Sequence, residues 1–177
     1  LISVDDKYQT AIEMALGGVL QNIVTDNEHT AKKLVEHLRK NNLGRASFLP
    51  ISSVKGNKID KIKGNYGDSL IGIASDLVKS NKKYEEIVSN LLGRTVVVDD
   101  METGIQVAKN NNYSFRIVTL KGDIINNSGA ITGGSVAPKT VNILGRSNEI
   151  EKLEKDISAL TNSETFKVLQ KKHVALV

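Results

Sequence analysis

The chain contains an internal repeat. The segment 8–17, from Tyr to Leu-Gly, aligns with the segment 84–93, which also begins with Tyr and ends with Leu-Gly. The alignment continues, two residues shorter, where 22–26 meets 96–100. Two copies of one supersecondary unit predict a pseudo-symmetric domain, an arrangement more typical of assembly than of a single catalytic pocket.

The composition is that of an ordinary globular chain. Its 177 residues, 40% of them hydrophobic and 25% charged, suffice for one domain or for two small lobes that share a core. The chain has no cysteine, which excludes disulfides and thiolate chemistry. It has no signal peptide and no apolar run of about 18 residues, so we expect a cytoplasmic protein without membrane contact. Because it begins with Leu1 rather than Met, we expect a piece of a longer polypeptide.

Each copy reads as helix, strand, helix, strand. In the first copy, the apolar spacing predicts a helix over 8–16, a strand over 20–25, a helix capped by Asp26-Asn27 and a strand over 46–51. In the second copy it predicts helices over 73–77, 84–92 and 102–109 and strands over 94–98 and 115–120. Strands separated by helices indicate an α/β (α+β) fold with mixed sheets.

A basic loop joins the two copies. Residues 52–69 are rich in Lys, Gly, Asn and Ser. The stretch from Lys55 to Lys63 contains four lysines and one acidic residue, Asp60. The segment is either a solvated loop or a surface that contacts phosphate groups. The net charge of +4 permits a nucleic-acid partner without requiring one.

We find no catalytic or metal site. Asp99, Asp100 and Glu102 form the tightest carboxylate cluster, but aspartates just before a helix are expected as caps. The three histidines have no second histidine or cysteine at ligand spacing. The glycines of 129–135 lack the Gly-Lys-Ser/Thr ending of a phosphate-binding loop. We therefore predict no catalytic residue, no metal and no cofactor in this chain.

The glycines of this segment suit close backbone approach. Gly129, Gly133 and Gly134 flank the short β-prone stretch 130–132, and glycine removes the side chain that keeps two backbones apart. The segment is either a plain Gly-rich turn or an exposed edge strand that pairs with another chain. If each lobe ended in such an edge, two chains could join twice around a two-fold axis.

The end of the chain has a heptad pattern. Ile150, Leu153, Ile157 and Leu160 recur at spacings of three and four, with charged residues between them. The pattern is short for a stand-alone coiled coil. It nevertheless predicts a helix with an apolar seam.

Residues 113–135, YSFRIVTLKGDIINNSGAITGGS, closely resemble the signature segment of the hinge domain of SMC (structural maintenance of chromosomes) proteins. Residues 84–100 and 8–27 resemble the same family, and the style of the matching segments is bacterial. The resemblance implies two similar lobes that dimerise into a ring and join two antiparallel coiled-coil arms. It also implies ATP and Mg at ATPase heads outside this chain, kleisin-type subunits bound through other regions, and a nucleoid location.

The resemblance divides the chain into three parts. Lobe I comprises residues 1–78, including the basic loop 52–69, lobe II comprises 79–142, and 143–177 begins the returning arm. It assigns the dimer contact to the glycine pairs and the residues between them, although Ser128 stands where bacterial members often have glycine. The implied contact residues are Ser128, Gly129, Ala130, Ile131, Thr132, Gly133, Gly134 and Ser135.

The function that follows is a homodimerisation hinge for chromosome condensation and segregation, without enzymatic activity of its own and with weak, non-specific DNA binding. An alternative is a module that chiefly binds DNA and dimerises secondarily. A third hypothesis is a small enzyme that uses the carboxylates near Asp100. The candidate DNA contacts are Lys55, Lys58, Lys61, Lys63, Lys79, Lys82, Lys83 and Lys139.

Overall fold

The computed structural model of the chain describes residues 1–134 and 146–162. Ser135 and Lys139, two of the predicted site residues, lie outside the described residues. The chain divides into two compact units, 1–140 and 141–177, which are described separately below.

The first unit alternates short strands and helices. Lobe I contains β1 (Ile2–Val4), α1 (Gln9–Leu16), β2 (Ile23–Thr25), α2 (Glu28–Lys40) and β3 (Phe48–Pro50). It is followed by β4 (Leu70–Ile73), β5 (Val78–Ser80), α3 (Glu85–Leu92), β6 (Thr95–Val98), α4 (Met101–Asn110), β7 (Arg116–Thr119), β8 (Ile124–Ile125) and β9 (Ile131–Thr132). The predicted α/β class with mixed sheets is confirmed.

The sequence repeat corresponds to a structural repeat. In both copies a helix, a strand and a second helix lead to a strand parallel to the first, as β2 with β3 and β6 with β7. Both second helices are capped alike, because the side chains of Asn27 and Asp100 accept the backbone N–H three residues later. When the two capping residues are aligned, Ile23 corresponds to Val96. The alignment of the sequences alone pairs Ile23 with Val97, one residue further.

An antiparallel ribbon that the sequence analysis missed joins the two lobes. β1 pairs with β5 so that Ser3 lies opposite Lys79 at the centre of three residue pairs. β1 lies just before the first copy of the repeat and β5 just before the second. The ribbon therefore joins the two copies at equivalent positions. Ser3 and Lys79 interrupt the apolar residues of these short strands, so no apolar run marks them in the sequence.

The main core belongs to lobe II. Its sheet has the order β4-β6-β7-β8-β9, in which β4 comes from the end of residues 1–78 and the central strands β6 and β7 are parallel. Val96, Val98 and Ile117 on these strands and Val107 on α4 are fully buried. Burial of such side chains contributes roughly 1.5–3 kcal/mol each, which makes this cluster the main source of stability.

The basic loop is a strap over lobe II. Ile59 is buried in the lobe II core, and its N–H donates to the Gly93 carbonyl at 2.9 Å. Further along, the buried side chain of Asn111 accepts from the Lys63 N–H at 2.8 Å and donates to the Lys63 carbonyl at 3.1 Å. The segment is thus fixed by apolar and backbone contacts while its lysines stay exposed.

One local prediction needs correction. Residues 73–77, predicted as a helix, contain the end of β4 and the 3-10 helix Ala74–Leu77, because Ile73 pairs with Val96 in the sheet. Gly17 and Gly93 follow the last residues of α1 and α3, but they differ in conformation. Gly17 has a φ of +50°, whereas Gly93 has a φ of −67°. At Gly93 a side chain would instead strike the carbonyl oxygens of Ser89 and Asn57.

The second unit contains α5 (Arg146–Asn162), 17 residues long. The four residues of the predicted seam lie on this helix and are 52–67% exposed. The predicted helix is present, and its apolar seam is uncovered within the described residues.

Candidate functional site

The predicted contact segment forms the edge of the lobe II sheet. β9 pairs antiparallel with β8, with Ile131 opposite Ile125 and Thr132 opposite Ile124. No strand of the described residues lies on the other side of β9. All predicted contact residues from Ser128 to Gly134 are exposed, and Ile131 is 55% exposed. An open edge with an exposed isoleucine is a surface suited to strand addition.

The glycines around β9 serve different purposes. Gly129 has a φ of +85° and donates to the Asn126 carbonyl, so it closes the turn between β8 and β9. A side chain at Gly129 or Gly134 would meet no atom of this chain within 4 Å. At Gly133 it would meet the carboxylate of Asp123. The turn and edge hypotheses are therefore compatible, and only Gly133 is needed for packing within the described residues.

Asp123 fixes the end of β9. Its Oδ2 accepts from the Thr119 hydroxyl at 3.1 Å, and its Oδ1 accepts from the Gly134 N–H at 3.3 Å. Its own N–H donates to the Thr119 hydroxyl at 3.0 Å. One carboxylate thus ties the β7–β8 turn to the residues that follow β9, which presents this edge in a defined position.

Lobe I has an uncovered apolar face that sequence reasoning did not identify. On α2, Leu34 and Val35 are 37% and 39% exposed, whereas their counterparts on α4, Val107 and Ala108, are 0% and 1% exposed. The strands differ in the same way, because Ile23 is 44% exposed and its counterpart Val96 is fully buried. The apolar pattern of α2 is visible in the sequence, but the lack of cover is not.

The reason for this difference is that lobe I has fewer strands. Lobe II covers β7 with β8 and β9 and β6 with β4, whereas the sheet of lobe I has only β2 and β3 among the described residues. Ser47 and Ile51 form backbone hydrogen bonds with β2, so the backbone groups of Phe48 and Pro50 point to the other edge of β3. Pro50 has no N–H and its carbonyl already accepts the Val54 N–H at 3.0 Å, so of these two residues only Phe48 can hydrogen-bond to an added strand.

Two of the described candidate DNA contacts are paired with carboxylates. Lys58 donates to Asp76 at 2.6 Å, and Lys83 donates to Asp26 at 3.1 Å. Lys58 and Lys79 are brought together beside one surface depression, but Asp76 and Glu85 line it as well. The remaining described candidates are exposed on the strap and before α3, namely Lys55, Lys61, Lys63 and Lys82.

The charged groups near helix starts behave as caps. The Asp100 carboxylate accepts the Thr103 N–H at 2.8 Å, and this hydrogen bond holds the pKa of Asp100 below its ordinary value. The hydrogen bond to Asp26 raises the pKa of Lys83.

Within residues 1–134 and 146–162, no group of three or more His, Asp or Glu side chains could hold a metal ion. No helix in the same residues is long and apolar enough to span a membrane.

Comparisons with known proteins agree on one family. The family described as SMC proteins Flexible Hinge Domain matches residues 1–108. The chromosome partition protein Smc of Clostridium kluyveri is 41% identical over 170 residues, 96% of this chain and 14% of that protein. The Smc protein of Bacillus subtilis is 39% identical over 163 residues, 90% of this chain and 14% of that protein. This chain therefore spans about one seventh of the length of these relatives.

Solved hinge domains have the same fold. The structure of an asymmetric dimer of the Geobacillus stearothermophilus SMC hinge domain superposes with a TM-score of 0.79 at 36% identity, covering 99% of this chain and 70% of that one. The Pyrococcus furiosus SMC hinge domain superposes with a TM-score of 0.64 at 34% identity, covering 81% of this chain and 76% of that one.

Proposed function

The chain belongs to the SMC hinge domain family, and we propose that it is the homodimerisation hinge of a chromosome partition protein. One observation carries the proposal: apolar positions of lobe I are 37–44% exposed where their counterparts in lobe II are fully buried. Exposed apolar area at positions built for a core is typical of a surface that a partner covers.

The proposed contact joins β9 of one chain to the open edge of β3 in the other. In lobe II, β8 and β9 cover β7, and in lobe I the equivalent strand has no such cover among the described residues. A partner's β9 would supply main-chain hydrogen bonds, and its Ile131 would add apolar area to the uncovered face of lobe I. Because each chain has one edge of each kind, two chains related by a two-fold axis form two equal contacts and close a ring.

Solution mass tests the contact. Light scattering or sedimentation should report a dimer for the natural chain and a monomer for Ile131→Lys and for Leu34→Glu, because each buries a charge in the contact. His29→Glu adds the same charge to α2, away from its apolar face, and should remain a dimer. Circular dichroism establishes that each variant is folded. A dimer that persists in both folded interface variants contradicts this mode of association.

The dimer would join two coiled-coil arms. The uncovered seam of α5, with Ile150, Leu153, Ile157 and Leu160, has the spacing that packs against a second helix. On this proposal the arms connect the hinge to ATPase heads and kleisin-type subunits in other parts of the protein. The name of the relatives, chromosome partition protein, supports a role at the nucleoid.

DNA binding is the second candidate function. Its support is the net charge of +4 and the exposed lysines of the strap and of the segment before α3. The mixed charges beside Lys58 and Lys79 argue for weak, non-specific contact. Affinity for a duplex of arbitrary sequence should fall steeply as salt rises, while the dimer mass stays constant. If instead the chain dimerises only in the presence of DNA, the DNA-binding alternative is favoured.

A further inference from the structure

Arg116, at the start of β7, reaches from lobe II into lobe I. Its Nη1 donates to the Ala15 carbonyl at 2.9 Å, across 101 residues of sequence. α1 ends at Leu16, so Ala15 has one of the last carbonyls of the helix, which have no partner within the helix. A cation is favourable at this end of a helix dipole. The contact thus satisfies an acceptor in one lobe with a donor from the other.

The site is half-buried and lacks a second partner. Burial lowers the pKa of Arg116, and within the described residues its Nε is buried without a hydrogen bond. A partly desolvated guanidinium with an unpaired Nε costs stability. The repeat has no second such bridge, because the counterpart of Arg116 in lobe I is Ser47, whose side chain is short and exposed.

The other contacts between the lobes are less directional. The ribbon of β1 and β5 has three residue pairs along a single line. The ion pair between Lys83 and Asp26 is exposed and contributes little. α1, whose Ala11 and Ile12 are fully buried, also packs against α3 and β7, but apolar packing has no preferred direction, and Arg116 adds a directional hydrogen bond across it.

We propose that Arg116 is a positioning residue that fixes the angle between the two lobes, so that both contacts of the dimer close together. This inference rests on the proposed function. In a ring, the second contact forms within a complex whose first contact already exists, and its strength depends on how well the geometry is preset. If the angle between the lobes varies more widely, the dimer dissociates more readily, although the strand edges β9 and β3 are unchanged.

The angle can be measured in a monomeric chain. The sequence has no cysteine, so Lys33→Cys on α2 and Lys109→Cys on α4 accept spin labels at exposed sites. In the Ile131→Lys background, Arg116→Met should at least double the width of the label distance distribution. Arg94→Met is the matched control, because Arg94 donates to the Ser114 carbonyl within lobe II.

The second readout is the dimer dissociation constant. Without the labels and with Ile131 restored, Arg116→Met should raise it about tenfold or more, Arg94→Met should leave it unchanged, and Arg116→Lys, which keeps one donor, should lie between. If Arg116→Met fails to fold, Arg116→Lys carries both comparisons. A distance distribution as narrow as that of the Arg94→Met chain overturns the inference. A natural chain that stays monomeric overturns the proposed function instead, and the distance measurement still decides the role of Arg116.

Discussion

Equivalent truncations in the two lobes should have different effects on dimerisation. Leu34→Ala removes three carbon atoms, worth about 0.8 kcal/mol each when fully buried. Leu34 is 37% exposed in the single chain. If the partner covers this exposed part, the truncation lowers the dimerisation free energy by about 0.9 kcal/mol at each site. Two such sites in the dimer give about 1.8 kcal/mol, which corresponds to a roughly 20-fold rise in the dissociation constant.

Val107→Ala is the matched change on α4. Val107 is fully buried within its own chain, so its truncation should cost about 2 kcal/mol of unfolding free energy and leave the dissociation constant unchanged. Sedimentation equilibrium at several concentrations gives the dissociation constants, and urea unfolding of the Ile131→Lys monomer gives the stabilities. The reasoning is refuted if Leu34→Ala changes the dissociation constant less than threefold, or if Val107→Ala changes it as much.

Three further predictions concern the fold. The lowered pKa of Asp100 means that its contribution to stability is present at neutral pH and is lost as the pH falls below about 4, so Asp100→Asn, which keeps the cap, should flatten this part of the urea-midpoint profile. An unchanged profile would contradict it. Asn111→Ala should cost about 2–3 kcal/mol and speed tryptic cleavage after Lys63, because the strap loses its anchor; equal cleavage rates would show that the strap is held elsewhere. Gly93→Ala should lower the melting temperature more than Gly17→Ala, because only Gly93 lies against carbonyl oxygens; the reverse order would refute the packing argument.

The sequence predicted the repeated unit well because its signals are local. Asn27 and Asp100 stand directly before their helices as caps, and the valines of β6 form a continuous apolar run typical of a strand buried on both faces. The glycines around β9 predicted a turn or an edge strand, and within the described residues Gly129 closes a turn and β9 lies at the edge of its sheet. Short-range chemistry of this kind can be read without knowledge of the tertiary structure.

The remaining features depend on long-range contacts. The helix predicted at 73–77 is absent as such because Ile73 pairs with a strand more than twenty residues later in the chain. The conspicuous lysines of the strap predicted either a solvated loop or a phosphate-contacting surface, and neither alternative includes the apolar anchor that Ile59 forms in the core, with Ile62 and Tyr66 packed against it. The exposed face of lobe I could not be predicted, because Leu34 and Val107 are both apolar and only the structure shows which of them is covered.

Cross-linking between two single-cysteine chains tests the central claim most directly. One chain carries Ile131→Cys on β9 and the other carries Ser47→Cys beside β3, and a short bismaleimide joins thiols that lie close together. The account predicts covalent dimers when the two chains are mixed and far fewer when either chain reacts alone. Efficient cross-linking of the Ile131→Cys chain with itself, or a mixture that stays at the 19.2 kDa chain mass, would contradict it.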